Sequence, residues 1–153
     1  MNVLVLNSGS SSLKYKLYQD SEVISFGNIK IISEDSILCT LDGKEEYLHK
    51  ESFNKRAEII FSYLEKFKLD AILHRIVHGG ESFILPIKLT DSIIDKLKDE
   101  TLHLAPLHNP YALEIIEKAK KYQIAQFAVF DSAFGMSMPE THYLFGIPYE
   151  YYR

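Results

Sequence analysis

Three stretches of this sequence carry side chains able to grip or move an anion. NSGSSSLKY, beginning at Asn7, is a turn of small residues that offers backbone N–H groups and hydroxyls to an oxyanion such as phosphate. A plain hairpin turn uses the same residue types, so both readings stay open. HRIVHGGESF sets Arg75 between His74 and His78, ahead of the flexible pair Gly79 and Gly80. A guanidinium is a planar fork that takes a carboxylate or phosphoryl group at two points, but a structural ion pair uses it equally well. VFDSAF ends an apolar run on Asp131, an acid that could orient a nucleophile, ligate a metal, or merely cap or anchor a loop. His108, in LAPLHNP, is open between an active-site donor and a loop hydrogen bond. The histidines and carboxylates lack the spacing of an all-protein zinc site such as HExxH, and neither GxxxxGK[ST] nor GxGxxG occurs. The metal that suits this set is Mg²⁺ arriving with a nucleotide.

Each group needs an element to hold it. Residues 3–6 form a continuous apolar run, the pattern of a strand covered on both faces, and end at the turn 7–12. Leu13, Tyr15 and Leu17 alternate with Lys14 and Lys16, predicting a half-exposed strand that hairpins onto the first. Residues 23–32 and 36–41 extend this meander. Phe53, Ala57, Ile60, Leu64 and Phe67 recur at helical spacing behind a Ser52 cap, with Lys, Arg and Glu left outside. Residues 71–77 read as a buried strand and 92–102 as a helix starting from Thr90 and Asp91. Asn109 as cap and Pro110 as first residue open a further helix, with Ala112, Ile115, Ile116, Ala119 and Tyr122 inward, and 124–130 is the last strand. The order predicts a mixed α/β domain: an antiparallel meander, then strand, helix and strand units whose last strands lie parallel to the first through right-handed crossovers.

Composition narrows the class. The 153 residues are 46% hydrophobic and 25% charged, enough for one domain with a real core. Twenty-one acidic and 17 basic residues, net −4, are interspersed, so nothing offers nucleic acid a basic footprint. Cys39 is the only cysteine, which excludes an internal disulfide and suits a reducing compartment. The opening residues lack the basic flank and long apolar stretch of a secretion signal, so the expectation is a cytoplasmic protein without a membrane segment.

Taken together, NSGSSSLKY, HRIVHGGE, LAPLHNP and VFDSAF with its MPETHYLFGIPYEYY continuation resemble acetate kinase in sequence and order. The resemblance runs along the whole chain and is weakest between residues 20 and 69. It implies a ribonuclease H-like domain of the actin, sugar kinase and heat-shock ATPase superfamily, a mixed sheet with flanking helices, in which two such domains close around ATP. It implies that Asn7 helps hold Mg²⁺ and phosphate, that Ser10 and Ser12 contact phosphate, and that Arg75 binds the carboxylate and the migrating phosphoryl group. Asp131 would be the catalytic acid residue, with His108 near the transferred group and Val77 and Leu107 lining the pocket for the substrate methyl group. The implied reaction is ATP with acetate giving acetyl phosphate and ADP, in a protein that is a homodimer when full length.

Three features depart from the family pattern: Leu73 stands where glycine is usual, the segment Gly135, Met136 and Ser137 replaces a His-Gln-Thr type segment, and Ser132 replaces threonine. Leucine adds bulk where Arg75 must be placed accurately. The family also continues past this sequence into a nucleotide-binding domain with a further arginine, histidine and glutamate. The expectation is therefore an amino-terminal domain, residues 1–153, inactive by itself. The rivals are a propionate or short-chain carboxylate kinase, and a stand-alone module that binds an anion or a protein.

Overall fold

The computed structural model describes the chain except for residues 136, 137, 140, 141, 143, 145, 152 and 153. The alternating pattern of the first residues does what its period requires. β1 (Asn2–Ser8) and β2 (Ser12–Gln19) pair antiparallel, with Leu4 and Leu6 on one and Leu13, Tyr15 and Leu17 on the other turned to the same buried side. The turn is shorter than expected, because β1 keeps pairing through Asn7 and Ser8. β3 (Glu22–Ile31) and β4 (Ser36–Leu41) continue the meander, and β5 (Lys44–His49) adds an exposed outer strand that the sequence pattern did not announce.

A 3₁₀ turn (Lys50–Lys55) leads into α1 (Arg56–Leu64), followed by β6 (Ala71–Ile76), β7 (Ile87–Lys88), α2 (Asp91–Thr101), α3 (Asn109–Ala119) and β8 (Ala125–Phe130). The sheet order is β5-β4-β3-β2-β1-β6-β8-β7, with β6 parallel to both β1 and β8, as the strand and helix alternation predicts. Leu4, Leu6, Ile72 and Ile115 lie in one core cluster with α1, and Ile76, Ala128, Ile94, Leu97 and Ile116 in a second under α2 and α3. Each such leucine or isoleucine contributes roughly 2 kcal/mol by leaving water. The opposite side of the sheet carries the half-buried row Val5, Leu73 and Phe127, which are register partners. Among the described residues no helix is long and apolar enough to cross a membrane.

Three local expectations are corrected. Ser52 lies within the 3₁₀ turn, and α1 begins from Lys55 with no side-chain cap. Arg56 is not left outside: it is 2% exposed, donates to the Phe53 carbonyl at 3.0 Å and to Glu114 at 2.6 Å, and its charge is met across the α1–α3 contact. Asn109 does not cap α3, which starts from His108 with Asn109 as its first residue. Thr90 does cap α2, its hydroxyl accepting from the Ile93 N–H.

Candidate functional site

Parallel register, rather than proximity in sequence, builds the site. Asn7 on β1 is the register partner of Arg75 on β6, and Arg75 that of Val129 on β8, two residues before Asp131. All three polar residues therefore emerge where adjacent parallel strands end, the edge at which open α/β sheets commonly bind ligands. Arg75 Nη1 donates to Asn7 Oδ1 at 3.1 Å and Nε donates to Asp131 Oδ1 at 3.0 Å, while Nη2 engages Asp131 Oδ2. The fork is thus held at two points by a carboxylate, the geometry in which it would also take a substrate carboxylate or phosphoryl group. The strand arginine is not deeply buried. Arg75 is 37% exposed and Asp131 44%, so solvent reaches the pair and its worth to the fold is small.

The same register row continues across the meander. Asn7 faces Lys14, Lys14 faces Asn28, and Asn28 faces Thr40, so polar side chains line up across β4, β3, β2, β1 and β6. A cavity of about 490 Å³ lies over this row, lined by Asn7, Lys14, Lys16, Phe26, Asn28 and Thr40 among others. Asn28 Oδ1 is buried and has no hydrogen-bond partner among the described residues. Lys14 was visible only as one member of an alternating strand, because its place beside Asn7 needs the hairpin register.

The glycine-serine turn follows Asn7 directly. Ser8 is buried and its hydroxyl donates to the Tyr111 carbonyl of α3 at 3.0 Å, while Gly9 N–H donates to Ser12 O at 2.8 Å. Ser10 is exposed and Ser12 half-buried, leaving both at the mouth of the turn. Ser8 anchors the turn and does not face a ligand.

The segment after Arg75, with its two glycines, is held by hydrogen bonds from two directions. The Val77 carbonyl accepts from Ser132 N–H at 3.3 Å and Ser132 Oγ accepts from Gly79 N–H at 3.1 Å. Asn109 accepts from His78 N–H at 3.3 Å and donates to the His78 carbonyl at 2.9 Å. A Cβ on Gly79 would meet the Phe83 carbonyl and lie 2.8 Å from the Phe130 ring, so glycine is required there by space. Gly80 has φ +66 and its N–H donates to His78 Nδ1 at 2.9 Å. Val77 is half-buried; Leu107, 71% exposed, and His108 stand on the turn before α3, where His108 N–H donates to Ala105 O at 2.9 Å. The structure thus brings Asn7, Arg75 and Asp131 together directly, and through Asn109 links the His78 backbone, next to Val77, to the start of α3, next to Leu107 and His108.

On the covered side of β6, His74 Nε2 lies 2.7 Å from Gln126 Oε1, and burial pulls its imidazole down to about 4 against that hydrogen bond. His74 is a neutral core residue, not a ligand.

The acetokinase family model matches residues 2–153. The chain belongs to the acetokinase family. It is 37% identical to the acetate kinase of Halothermothrix orenii over 171 aligned positions, covering all of this chain and 43% of that protein. The crystal structure of Porphyromonas gingivalis acetate kinase superposes with a TM-score of 0.84 at 35% identity, over 98% of this chain and 42% of that one. A propionate kinase from Francisella tularensis superposes with a TM-score of 0.87 at 32% identity, over 97% and 41%. The chain therefore spans less than half the length of these acetokinase relatives. Their likeness carries the expected fold, the mixed sheet with flanking helices of the actin, sugar kinase and heat-shock ATPase type. Of the three departures from the acetokinase pattern, Leu73 is accommodated between Val5 and Phe127 while Arg75 still reaches Asn7 and Asp131, and Ser132 keeps a hydroxyl in use. Met136 and Ser137 lie outside the described residues.

Proposed function

We propose that this chain is the amino-terminal, carboxylate- and phosphoryl-binding domain of an acetate kinase, with the adenosine-binding domain lying outside these 153 residues. The observation that carries the reading is the three-way contact of Asn7, Arg75 and Asp131 at the ends of three neighbouring parallel strands. In the reaction an acetate oxygen attacks the γ-phosphorus of ATP, the bond to the ADP oxygen breaks, and acetyl phosphate and ADP result. Phosphoryl transfer needs positioning and charge neutralisation more than covalent help from the protein. Arg75 releases Asp131 to grip the acetate carboxylate and then the phosphoryl group, and Ser10 and Ser12 donate to phosphate from the turn. Asp131 serves as the catalytic acid residue, His108 lies near the transferred group, and Val77 and Leu107 bound the methyl pocket.

The oxygen donors fit Mg²⁺ better than a softer metal. Asn7 Oδ1 and the Asp131 carboxylate are hard ligands, and among the described residues no three His, Cys, Asp or Glu side chains cluster around a common point. Such a pair suits an ion that keeps water and phosphate oxygens as its other ligands, with Asn7 as the first protein contact. Bound Mg²⁺ would offset charge on the phosphate groups. The whole protein is proposed as a cytoplasmic homodimer.

Purified chain should be assayed for acetyl phosphate formation from acetate and Mg-ATP, and by NMR for acetate binding, each beside Arg75→Ala. Binding that Arg75→Ala abolishes, with negligible turnover by the 153 residues alone, is the expected result. Arg75-dependent turnover by this chain alone would refute the need for a second domain, and acetate binding indifferent to Arg75 would refute the site. The likeness to the propionate kinase supports a second reading, a longer-chain carboxylate substrate. One methylene changes binding by only about 1–3 kcal/mol, so paired acetate and propionate titrations decide it.

A further inference from the structure

Asn109 is 0% exposed, and its carboxamide makes three hydrogen bonds to backbone groups. Its oxygen accepts from His78 N–H at 3.3 Å, and its nitrogen donates to the His78 carbonyl at 2.9 Å and the Thr101 carbonyl at 3.0 Å. Pairing with the N–H and the carbonyl of one residue holds both of the peptide units that flank the His78 Cα. The Thr101 carbonyl belongs to the last turn of α2 and also accepts from Leu104 N–H at 3.2 Å. One side chain therefore joins the end of α2, the backbone three residues past Arg75, and the first turn of α3.

We propose that Asn109 is a positioning residue that makes the Val77 segment and the Leu107 and His108 turn a single body, setting the shape of the carboxylate pocket without touching substrate. The proposal rests on the acetokinase reading of that pocket only for its effect on acetate. Ser132 does the complementary work from the 3₁₀ turn after β8, holding Val77 O and Gly79 N–H next to Asp131. The residue type is specific. Aspartate would turn a carboxylate oxygen on two carbonyl acceptors, serine is too short to bridge both, and glutamine would push a methylene into a site with no free space.

The test uses the ¹⁵N-labelled 153-residue chain with Asn109→Asp, Asn109→Ala and Ser132→Ala. Asn109→Asp should speed exchange of the His78 amide roughly tenfold and shift resonances on both residues 77–79 and 107–109, with the Leu4 and Ile72 amides still protected. Ser132→Ala should free the Gly79 amide while leaving His108 unmoved. Shifts confined to one of the two segments would overturn the proposal. So would loss of sheet protection in both Asn109 variants, which would make Asn109 an ordinary core residue. In titrations, Asn109→Asp should weaken acetate about tenfold and leave inorganic phosphate within twofold; equal weakening of both anions counts against the role. A wild-type chain that binds no acetate refutes the functional reading of the pocket, and the exchange pattern then still decides what Asn109 does.

Discussion

His74 should make this fold lose stability in mild acid. It is 2% exposed on β6 with apolar register partners, Leu6 on β1 and Ala128 on β8, and Gln126 as its hydrogen-bond partner. Burial lowers its ionisation from 6.5 to about 4. The unfolded chain therefore takes up a proton at this position from about pH 6.5 downward, while the folded chain does not until about 4. The contribution is fully present above 6.5 and lost as pH falls through that window. Between pH 7.5 and 5.0 the loss amounts to about 2 kcal/mol, and over the whole window roughly 3 kcal/mol. The clearly shifted carboxylates, Asp42, Glu58, Asp91, Glu114 and Glu117, are all displaced downward, away from the range in which His74 acts. Urea unfolding at 25 °C should show a midpoint lower at pH 5.0 than at 7.5 by on the order of 1 M. In His74→Gln, which keeps a neutral partner for Gln126, that difference should largely vanish. Equal acid sensitivity in the two proteins would show that His74 is not the cause.

Gly79→Ala should lower the melting temperature by several degrees, since about 1–3 kcal/mol is expected when a Cβ is forced onto the Phe83 carbonyl and the Phe130 ring; circular dichroism measures it. Glu114→Ala strands the buried Arg56 charge and should cost about 3–5 kcal/mol in chemical denaturation, whereas Arg75→Ala, at a half-open pair, should cost under about 1 kcal/mol. Cys39 is buried, and burial raises its thiol above the ordinary value, so a thiol reagent at pH 7.5 should label it only as fast as the chain opens.

The parts legible from sequence were those in which side-chain period and burial agree. The alternation around Leu13, Tyr15 and Leu17 announced β2, and the stripe from Ala112 to Ala119 announced α3. β5 escaped because its Lys44, Glu45 and Glu46 are held at the sheet edge by backbone pairing with β4, which leaves no apolar signature. β7 escaped because two residues carry no period. Arg56 looked solvent-exposed because its partner Glu114 is 58 residues away, and Asn109 looked like a cap because its partner His78 is 31 away. The candidate site divided along the same line. Each of Asn7, Arg75 and Asp131 was ambiguous locally, and only the parallel register between distant strands joins them.

That register has a consequence for how the molecule acquires its chemistry. The hairpin of β1 and β2 closes across a short turn, but Arg75 meets Asn7 only after 68 residues are looped and meets Asp131 across a further 56. Closing the first of these loops costs about 4 kcal/mol of chain entropy before any contact rewards it, against roughly 1 kcal/mol for a tight hairpin. The meander can thus assemble early as a sheet that lacks Arg75. A growing polypeptide completes the group of Asn7, Arg75 and Asp131 only once Asp131 has emerged and docked. From then on, bound anion stabilises the late, long-range half of the fold, so ligand concentration acts on the last step of folding and not on the first.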